Sequence, residues 1–341
     1  MEQDRRDRIG VLLVNLGGPD SLAAVRPFLF NLFSDREIIR LGPPFLQKPL
    51  AWLISSLRSG KTRDAYALIG GKSPINDITK AQAAALEKEL NRSVADARGT
   101  LFTVAVGMRY WSPFFEEAVR NIHNQGTRRL LVLSLYPHYS VATTGSSLSH
   151  LRKLLSAYPD IAIHAIESWY DDAGYIDALS VQILQGVQTF GTGEGAMPAA
   201  RDKDIHLLFS AHSLPVTFIE EGDPYVDHIM GTIRALAEKI DIPWSLSYQS
   251  KSGPVAWLEP STERMLGDLA RKGVKNLLVV PISFVSDHIE TLYEIDILYK
   301  NMAADLGIHL ERTKSLNTAP EFITALRDMV LKGIKEAAWA E

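Results

Sequence analysis

The chain has 341 residues, 46% of them hydrophobic and 22% charged, with a formal net charge of -4. That length exceeds one ordinary core and suits two domains, and the slight negative charge provides no basic field for nucleic acid. There is no cysteine, which excludes disulfides, thiolate zinc sites and Cys-ligated iron–sulfur clusters, so any metal must meet His, carboxylate or other oxygen and nitrogen ligands.

No apolar run approaches the roughly 20 residues that a bilayer-spanning helix needs. The charged opening, residues 1–8, leads straight into a strand, so no secretory signal and a cytoplasmic location are expected. Residues 9–16 (IGVLLVNL) form a continuous apolar run stopped by Gly17-Gly18-Pro19, the pattern of a buried parallel strand. Residues 41–57 (LGPPFLQKPLAWLISSL) are apolar, contain three prolines, and are followed by Arg58, Lys61 and Arg63. They fit either a core segment or a lip at a cleft mouth that meets an apolar ligand or a membrane. Residues 66–75 (YALIGGKSPI) lack the phosphate-loop spacing and read as a plain turn.

A helix is expected over 81–90, a strand over 100–108 and a helix over 113–124, which has Pro first and early acids. A strand over 129–135 is stopped by Tyr136-Pro137. A helix over 147–158 and a strand over 161–166 follow. The pattern then restarts. Residues 172–190 read as helix and 191–200 as a small-residue loop. Residues 204–210 (DIHLLFS) read as a strand ended by Ala211-His212-Ser213. After it come helix 223–240, strand 244–249, helix 261–272, strand 276–281 (NLLVVP) and a polar-rich helix over 287–302. A last helix, 321–338, is expected to pack back on the first domain. The fold class is therefore α/β, with two Rossmann-like doubly wound domains, parallel sheets and a central cleft. The domains are placed at 8–167 and 168–317, with 318–341 returning to the first.

In open α/β sheets, ligands sit outside the carboxyl ends of the strands. Polar clusters occupy four such ends, at residues 15–21, 136–147, 210–215 and 283–296. Within them His212 can take a proton or ligate a divalent metal, since imidazole titrates near neutrality. The plainer alternative is a ring bonded to a loop carbonyl. Glu290 and Glu294, four residues apart, share one face of a regular helix, an arrangement suited to divalent cations and proton relay. The plainer alternative is a solvated acidic face. His288 falls on a different face if the helix is regular.

Seven motifs in order, spread across nearly the whole chain, resemble the ferrochelatase family. They are Asn15-Leu16-Gly17-Gly18-Pro19, Tyr66 with the segment 69–75 (IGGKSPI), Met108-Arg109-Tyr110, and the segment 136–140 (YPHYS) with 143–147 (TTGSS). Then come 210–215 (SAHSLP), 248–251 (YQSK) with Trp257, and 286–294 (SDHIETLYE). The resemblance implies two Rossmann-like domains around a porphyrin cleft. Porphyrin and ferrous iron are then the substrates, with no permanently bound cofactor and no iron–sulfur cluster. It implies His212 as the active-site histidine and Glu290 as its carboxylate partner across the cleft, with His212, Glu290 and Glu294 meeting the metal. Which of His212 and Glu290 takes the pyrrole protons and which delivers metal stays open. Leu16, His288, Trp257 and Tyr139 are expected to contact substrate, with Phe45 and Leu46 at the lip. Arg109 and Ser73 are expected at the propionates. The lip, 43–57, is also where peripheral membrane contact would fall.

Two features depart from parts of the family. Some relatives carry an iron–sulfur cluster on cysteines, and some place a third Glu one turn beyond Glu294, where this chain has Leu298. Coproporphyrin-using relatives tend to have an Ala-Tyr-Gly-Thr-Pro pattern after the first strand, whereas this chain has Asn15-Leu16-Gly17-Gly18-Pro19, so protoporphyrin is the expected substrate. Two other readings of the architecture exist. A two-lobed binding receptor would need an export signal. A cobalt chelatase acting on a sirohydrochlorin-type ring would show more His ligands and a shorter chain.

Overall fold

Two sheets of four parallel strands carry the structure, a computed structural model that describes residues 8–94, 100–191 and 204–339. Residues 1–7 and 192–200 of the expected opening and small-residue loop lie outside the described residues. The described chain forms two units, one ending at Trp169 and resuming at Asn317, the other spanning Tyr170–Leu316.

In the first unit β1 (Arg8–Asn15), β2 (Leu101–Met108), β3 (Arg129–Ser134) and β4 (Ala162–Ile166) pair in the order β2-β1-β3-β4. A parallel sheet covered on both faces needs apolar side chains on both, which is why residues 9–14 show no alternation. Val11, Leu12 and Leu13 are fully buried. The helices are α1 (Val25–Ser34), α2 (Gln47–Leu68), α3 (Ile75–Val94), α4 (Phe115–Asn124) and α5 (Ser146–Leu155). The C-terminal helix, Pro320–Glu336, lies close on this sheet: a Cβ built on Gly333 would sit 2.9 Å from Leu131 Cδ1 and 3.0 Å from Ile166 Cδ1. Glycine is what lets that helix approach.

The second unit repeats the plan. Strands β5 (Ile205–His212), β6 (Trp244–Gln249), β7 (Asn276–Pro281) and β8 (His309–Arg312) pair as β6-β5-β7-β8. Around them stand α6 (Ala173–Gln188), α7 (Val216–Glu220), α8 (Tyr225–Ala237) and α9 (Thr262–Arg271). After β7 comes a π-helix, Glu290–Tyr299, that runs into α10 (Lys300–Asp305). In each sheet the chain moves from a central strand to one edge and then crosses to the other side. The loops after β1 and β3, and those after β5 and β7, therefore diverge and leave a crevice at the strand ends.

Several elements differ from the sequence reading. Helix α1 covers residues left unassigned. Helix α3 starts at Ile75 and runs to Val94, not 81–90. Strand β8 has only four residues, His-Leu-Glu-Arg, too short and polar to show as a pattern. The helix after β7 is not regular: the Lys300 N–H reaches the Ile295 carbonyl, the i→i+5 bond of a π-helix.

Helix α2 resolves the ambiguous apolar segment in an unusual way. Its inward face is small or polar: Gln47, Ala51, Ser55 and Ser59 are all buried. The Gln47 amide donates to the carbonyls of Phe33 and Ile39 at 2.7 and 2.8 Å, locking the start of α2 to the end of α1. Small inward residues let α2 pack near α1. The large apolar residues of the segment point outward instead, with Phe45 76%, Trp52 55% and Leu57 74% exposed. No described helix is long and apolar enough to cross a membrane.

Candidate active site

His212 is the last residue of β5, and β7 is the neighbouring strand across the switch point of the second sheet. Its backbone is fixed on both sides. The His212 N–H donates to Ser283 Oγ at 3.0 Å, and the buried Tyr225 hydroxyl donates to the His212 carbonyl at 2.9 Å. The imidazole Nδ1 lies 2.9 Å from Glu290 Oε2. Glu290 opens the π-helix that follows β7, so adjacent strand ends deliver the two partners. This corrects the expectation that Glu290 faces His212 across a cleft: both belong to the second unit and are directly hydrogen-bonded. The Nε2 of His212 makes no hydrogen bond among the described residues, and a third of the side chain is exposed.

Glu294 takes a different set of partners. Its Oε2 accepts from Ser250 Oγ and from Gln249 Nε2, at 2.5 and 3.0 Å. Gln249 also donates to the Glu290 carbonyl at 3.1 Å and accepts from Ser210 at 2.6 Å. Ser250 holds a φ of +66°, a left-handed conformation that is costly for a residue with a side chain. Neither Gln249 nor Ser250 stood out as a site residue in the sequence, although both lie in the 248–251 motif.

The electrostatics follow from burial and this geometry. For Glu290, burial alone would raise the pKa, but the His212 charge and hydrogen bond, with His288 beyond, lower it to about 2. For Glu294, burial and the Glu290 charge together raise it to about 7. Burial would lower His212, yet the Glu290 charge and hydrogen bond, and then Glu294, leave it raised on balance. Each partner thus stabilises the other's charged form, with His212 Nδ1–H donating to the Glu290 carboxylate, and Glu294 exchanges its proton near neutrality.

His288 is 3% exposed. Its Nδ1 lies 3.1 Å from the Ser286 carbonyl and therefore carries the proton, while Nε2 has no hydrogen-bond partner and sits 3.9 Å from Glu290 Oε1. Burial first of all lowers its pKa and keeps the ring neutral. Trp257 is half-buried, with an indole N–H that is buried and has no hydrogen-bond partner among the described residues. Among the described residues no group of three or more His, Asp or Glu converges as a metal-holding set. His212 and Glu290 meet, and Glu294 is turned to Gln249 and Ser250.

The expected contacts from the first unit fare differently. Phe45 and Leu46 are exposed at the start of α2, and Leu16 and Tyr139 are half-buried at the ends of β1 and β3. Ser73 is 3% exposed and packs on Gly18, where a Cβ would come within 2.5 Å of Ser73 Cβ. Arg109 is already paired. Its Nη2 donates to Asp35 at 2.6 Å, its Nε to Ser146 at 3.2 Å, and its Nη1 lies 3.3 Å from His150. Asp35 also accepts from Tyr110 and Ser146, each at 2.7 Å. Burial would raise the Asp35 carboxyl, but Arg109 and the two hydroxyls hold it below the usual range. Asp35 went unnoticed in the sequence because its partner lies 74 residues away.

Two doubly wound domains, one carrying a part-buried imidazole–carboxylate pair at its switch point, define a chelatase-class α/β protein. The solved structure of SirB from Bacillus subtilis aligns with 97% of this chain and 98% of its own at a TM-score of 0.55, with 12% identity, a likeness of fold. The family model described as Ferrochelatase matches residues 8–334. A protein named ferrochelatase from Desulfotalea psychrophila is 52% identical over 324 residues, 95% of this chain and 96% of that one. Another, from Geotalea uraniireducens, is 48% identical over 331 residues, 96% and 98% of the two chains. The chain belongs to the ferrochelatase family and is a porphyrin metal chelatase of haem synthesis.

The raised pKa of Glu294 has a measurable consequence for stability. Its folded value, about 7, lies above the ordinary 4.5, so the unfolded chain releases this proton first. Stability therefore falls as pH climbs from about 4.5 to 7 and stays reduced above that. Glu294→Gln removes the titration. Thermal unfolding of chelator-treated protein should show the variant gaining on wild type from pH 5 to pH 8. A gap that is flat or shrinks with pH would contradict the assigned ionisation.

Proposed function

We propose that this enzyme inserts Fe(II) into protoporphyrin, with His212 and Glu290 at the reacting centre and Glu294 as the next metal-facing carboxylate. Iron is substrate here and not a resident cofactor. The observation that carries the site assignment is the 2.9 Å contact between a strand-end imidazole and a buried carboxylate. Insertion exchanges one Fe(II) for two pyrrole protons, so two protons must reach water in each turnover. A flat macrocycle closes its lone pairs around the centre, so binding energy from the rest of the ring has to support a bent form. In this reading His212 Nε2, left free by the Nδ1 bond, faces the pyrrole protons. Glu290, ionised down to acid pH, keeps the imidazole oriented and meets the metal with it. Glu294, near half-protonated at neutral pH, can pass a proton outward as an arriving cation displaces it.

The choice of porphyrin rests on charge pairing. Coproporphyrin carries propionates on all four pyrroles, so burying its ring buries carboxylates, and an unpaired buried charge is costly. The cations of the site motifs are already engaged. Arg109 is bound to Asp35, Lys72 lies 2.7 Å from Asp77, and Lys251 lies 3.7 Å from Glu259. Protoporphyrin can keep its two propionates in water along one edge and bury its vinyl side. Leu16 offers that side only apolar contact. A propionate role for Arg109 would require it to give up Asp35, and one for Ser73 would require exposing a buried hydroxyl, so neither is retained. The outward apolar row of α2, ended by Arg58, Lys61 and Arg63, suits a lip that receives an apolar substrate from an anionic membrane surface.

Three measurements test this reading. His212→Ala should abolish metal insertion while porphyrin still binds. Glu290→Gln should lower kcat strongly, and Glu294→Gln should act mainly on the apparent KM for metal; normal turnover in folded His212→Ala would remove the assignment. For the substrate, kcat/KM on both porphyrins under one detergent and salt condition should favour protoporphyrin. A coproporphyrin preference of about tenfold, ~1.4 kcal/mol in transition-state binding, would reverse the choice. For the lip, Phe45→Ser and Trp52→Ser should weaken co-sedimentation with anionic vesicles and raise the porphyrin KM. If both stay at wild-type values, the segment is not a lip.

A further inference from the structure

Arg312 ends β8, the edge strand of the second sheet, and its side chain is only 10% exposed. Every nitrogen of the guanidinium is engaged. Nε and Nη2 form a two-pronged bond to Asp296, each at 2.8 Å. Nη1 donates to Asp287 at 3.0 Å, to the Thr313 carbonyl at 3.1 Å and to Ser315 at 3.3 Å. Asp287 is held further by the hydroxyls of Ser315 and Thr291, at 2.7 and 3.1 Å.

The two carboxylates flank the reacting segment. Asp287 stands just before the π-helix, three residues ahead of Glu290, and Asp296 lies inside it, two residues past Glu294. One planar guanidinium thus grips a carboxylate in the loop that leads into the π-helix and another inside it, and so ties the helix to its entry and to the end of β8. Thr291, Ile295 and Tyr299 form its buried row. Asp296 lies on one flank of that row, against Arg312. Glu290 and Glu294 lie on the other, against His212 and the Gln249–Ser250 pair. Rotating the helix enough to draw Glu290 from His212 would tear Asp296 from Arg312.

We propose that Arg312 is a positioning residue for metal insertion: by gripping Asp287 and Asp296 it holds the π-helix in the register that aims Glu290 and Glu294 at the site. The inference rests on the reading that these two glutamates serve the metal. Lys keeps the charge but cannot span two carboxylates in a fixed plane, so Arg312→Lys separates register from charge.

The test uses purified full-length enzyme, Zn(II) as the probe metal and protoporphyrin, with folding checked by circular dichroism. Arg312→Lys should raise the apparent KM for Zn(II) roughly tenfold, in the range seen when groups that orient metal-facing ligands are lost, while the porphyrin KM stays near wild type. Asp296→Asn should shift the same constant in the same direction by less. If Arg312→Lys fails to fold, Asp296→Asn, near-isosteric and neutral, carries the test alone. Lower stability with wild-type kcat and wild-type KM for Zn(II) in the folded variants overturns the proposal. Retained turnover in Glu290→Gln overturns instead the site reading beneath it, whatever Arg312→Lys does.

Discussion

The second unit depends on one part-buried contact, the hydrogen bond between His212 Nδ1 and Glu290 Oε2 at 2.9 Å. Neither partner suits that place alone. An isolated carboxylate at the end of two apolar strands would take up a proton, and an isolated imidazole would lose one. Together, each stabilises the other's charged form, and the surroundings adjust. The next carboxylate, Glu294, cannot ionise as readily beside Glu290, so its pKa rises to about 7. Fixed charge and exchangeable proton thus occupy successive positions on one helix. The same contact explains the backbone polar groups gathered around β5: Tyr225, Ser283 and Gln249 hold the strand end still, so that a 2.9 Å geometry persists.

The first unit solves a related problem with the opposite result. Asp35 and Arg109 are also a buried ion pair, but every neighbour closes it off: Tyr110 and Ser146 fill the carboxylate, and Ser146 and His150 fill the guanidinium. The pair ties the end of α1 to the end of β2 and the start of α5. Removing one partner of such a pair strands the other's charge. Its rigidity sets where α1 lies. Helix α2, packed near α1 through Ala51, Ser55 and Ser59, must then turn its large residues to solvent. The exposed Phe45, Trp52 and Leu57 follow from close packing on the other face.

How far these features could be read from the sequence depends on the range of the interactions. The parallel strands were legible because residues 9–14 and 276–281 are continuously apolar, and burial on two faces leaves that trace. His212 and Glu290 were legible through their motifs and strand-end positions. Their direct contact was not, since 78 residues separate them. The π-helix left no local sign. Glu290 and Glu294 are spaced for an α-helical face, and Arg312, which binds Asp287 and Asp296, sits in a four-residue polar strand that shows no periodicity. Arg109 was legible through its motif but not as a committed cation, because Asp35 lies in a different stretch of chain. In α2 the amphipathic pattern misleads outright, since the large apolar residues are the exposed ones.

Both sheets share the strand order 2-1-3-4, and in both a π-type segment follows the third strand, Val141–Gly145 in one unit and Glu290–Tyr299 in the other. The shared plan supplies two equivalent crevices, yet the polar groups at them are used differently. In the first unit Asn76 exchanges two hydrogen bonds with Gly18, Asn15 binds Thr79, and Asp35 binds Arg109. In the second unit lone pairs and donors remain uncommitted: His212 Nε2 faces outward from its pair, His288 Nε2 points towards Glu290 without bonding, and the Trp257 indole N–H has no acceptor. Buried polar atoms without partners are rare in native structures and call for a reason. Taking protons from a bound ring and handing it a cation needs such atoms, held in place by neighbours that are themselves satisfied. Among the described residues those uncommitted atoms gather at the strand ends of the second unit, while Asn76, Asn15 and Asp35 at the first unit's strand ends are bonded to neighbours of their own.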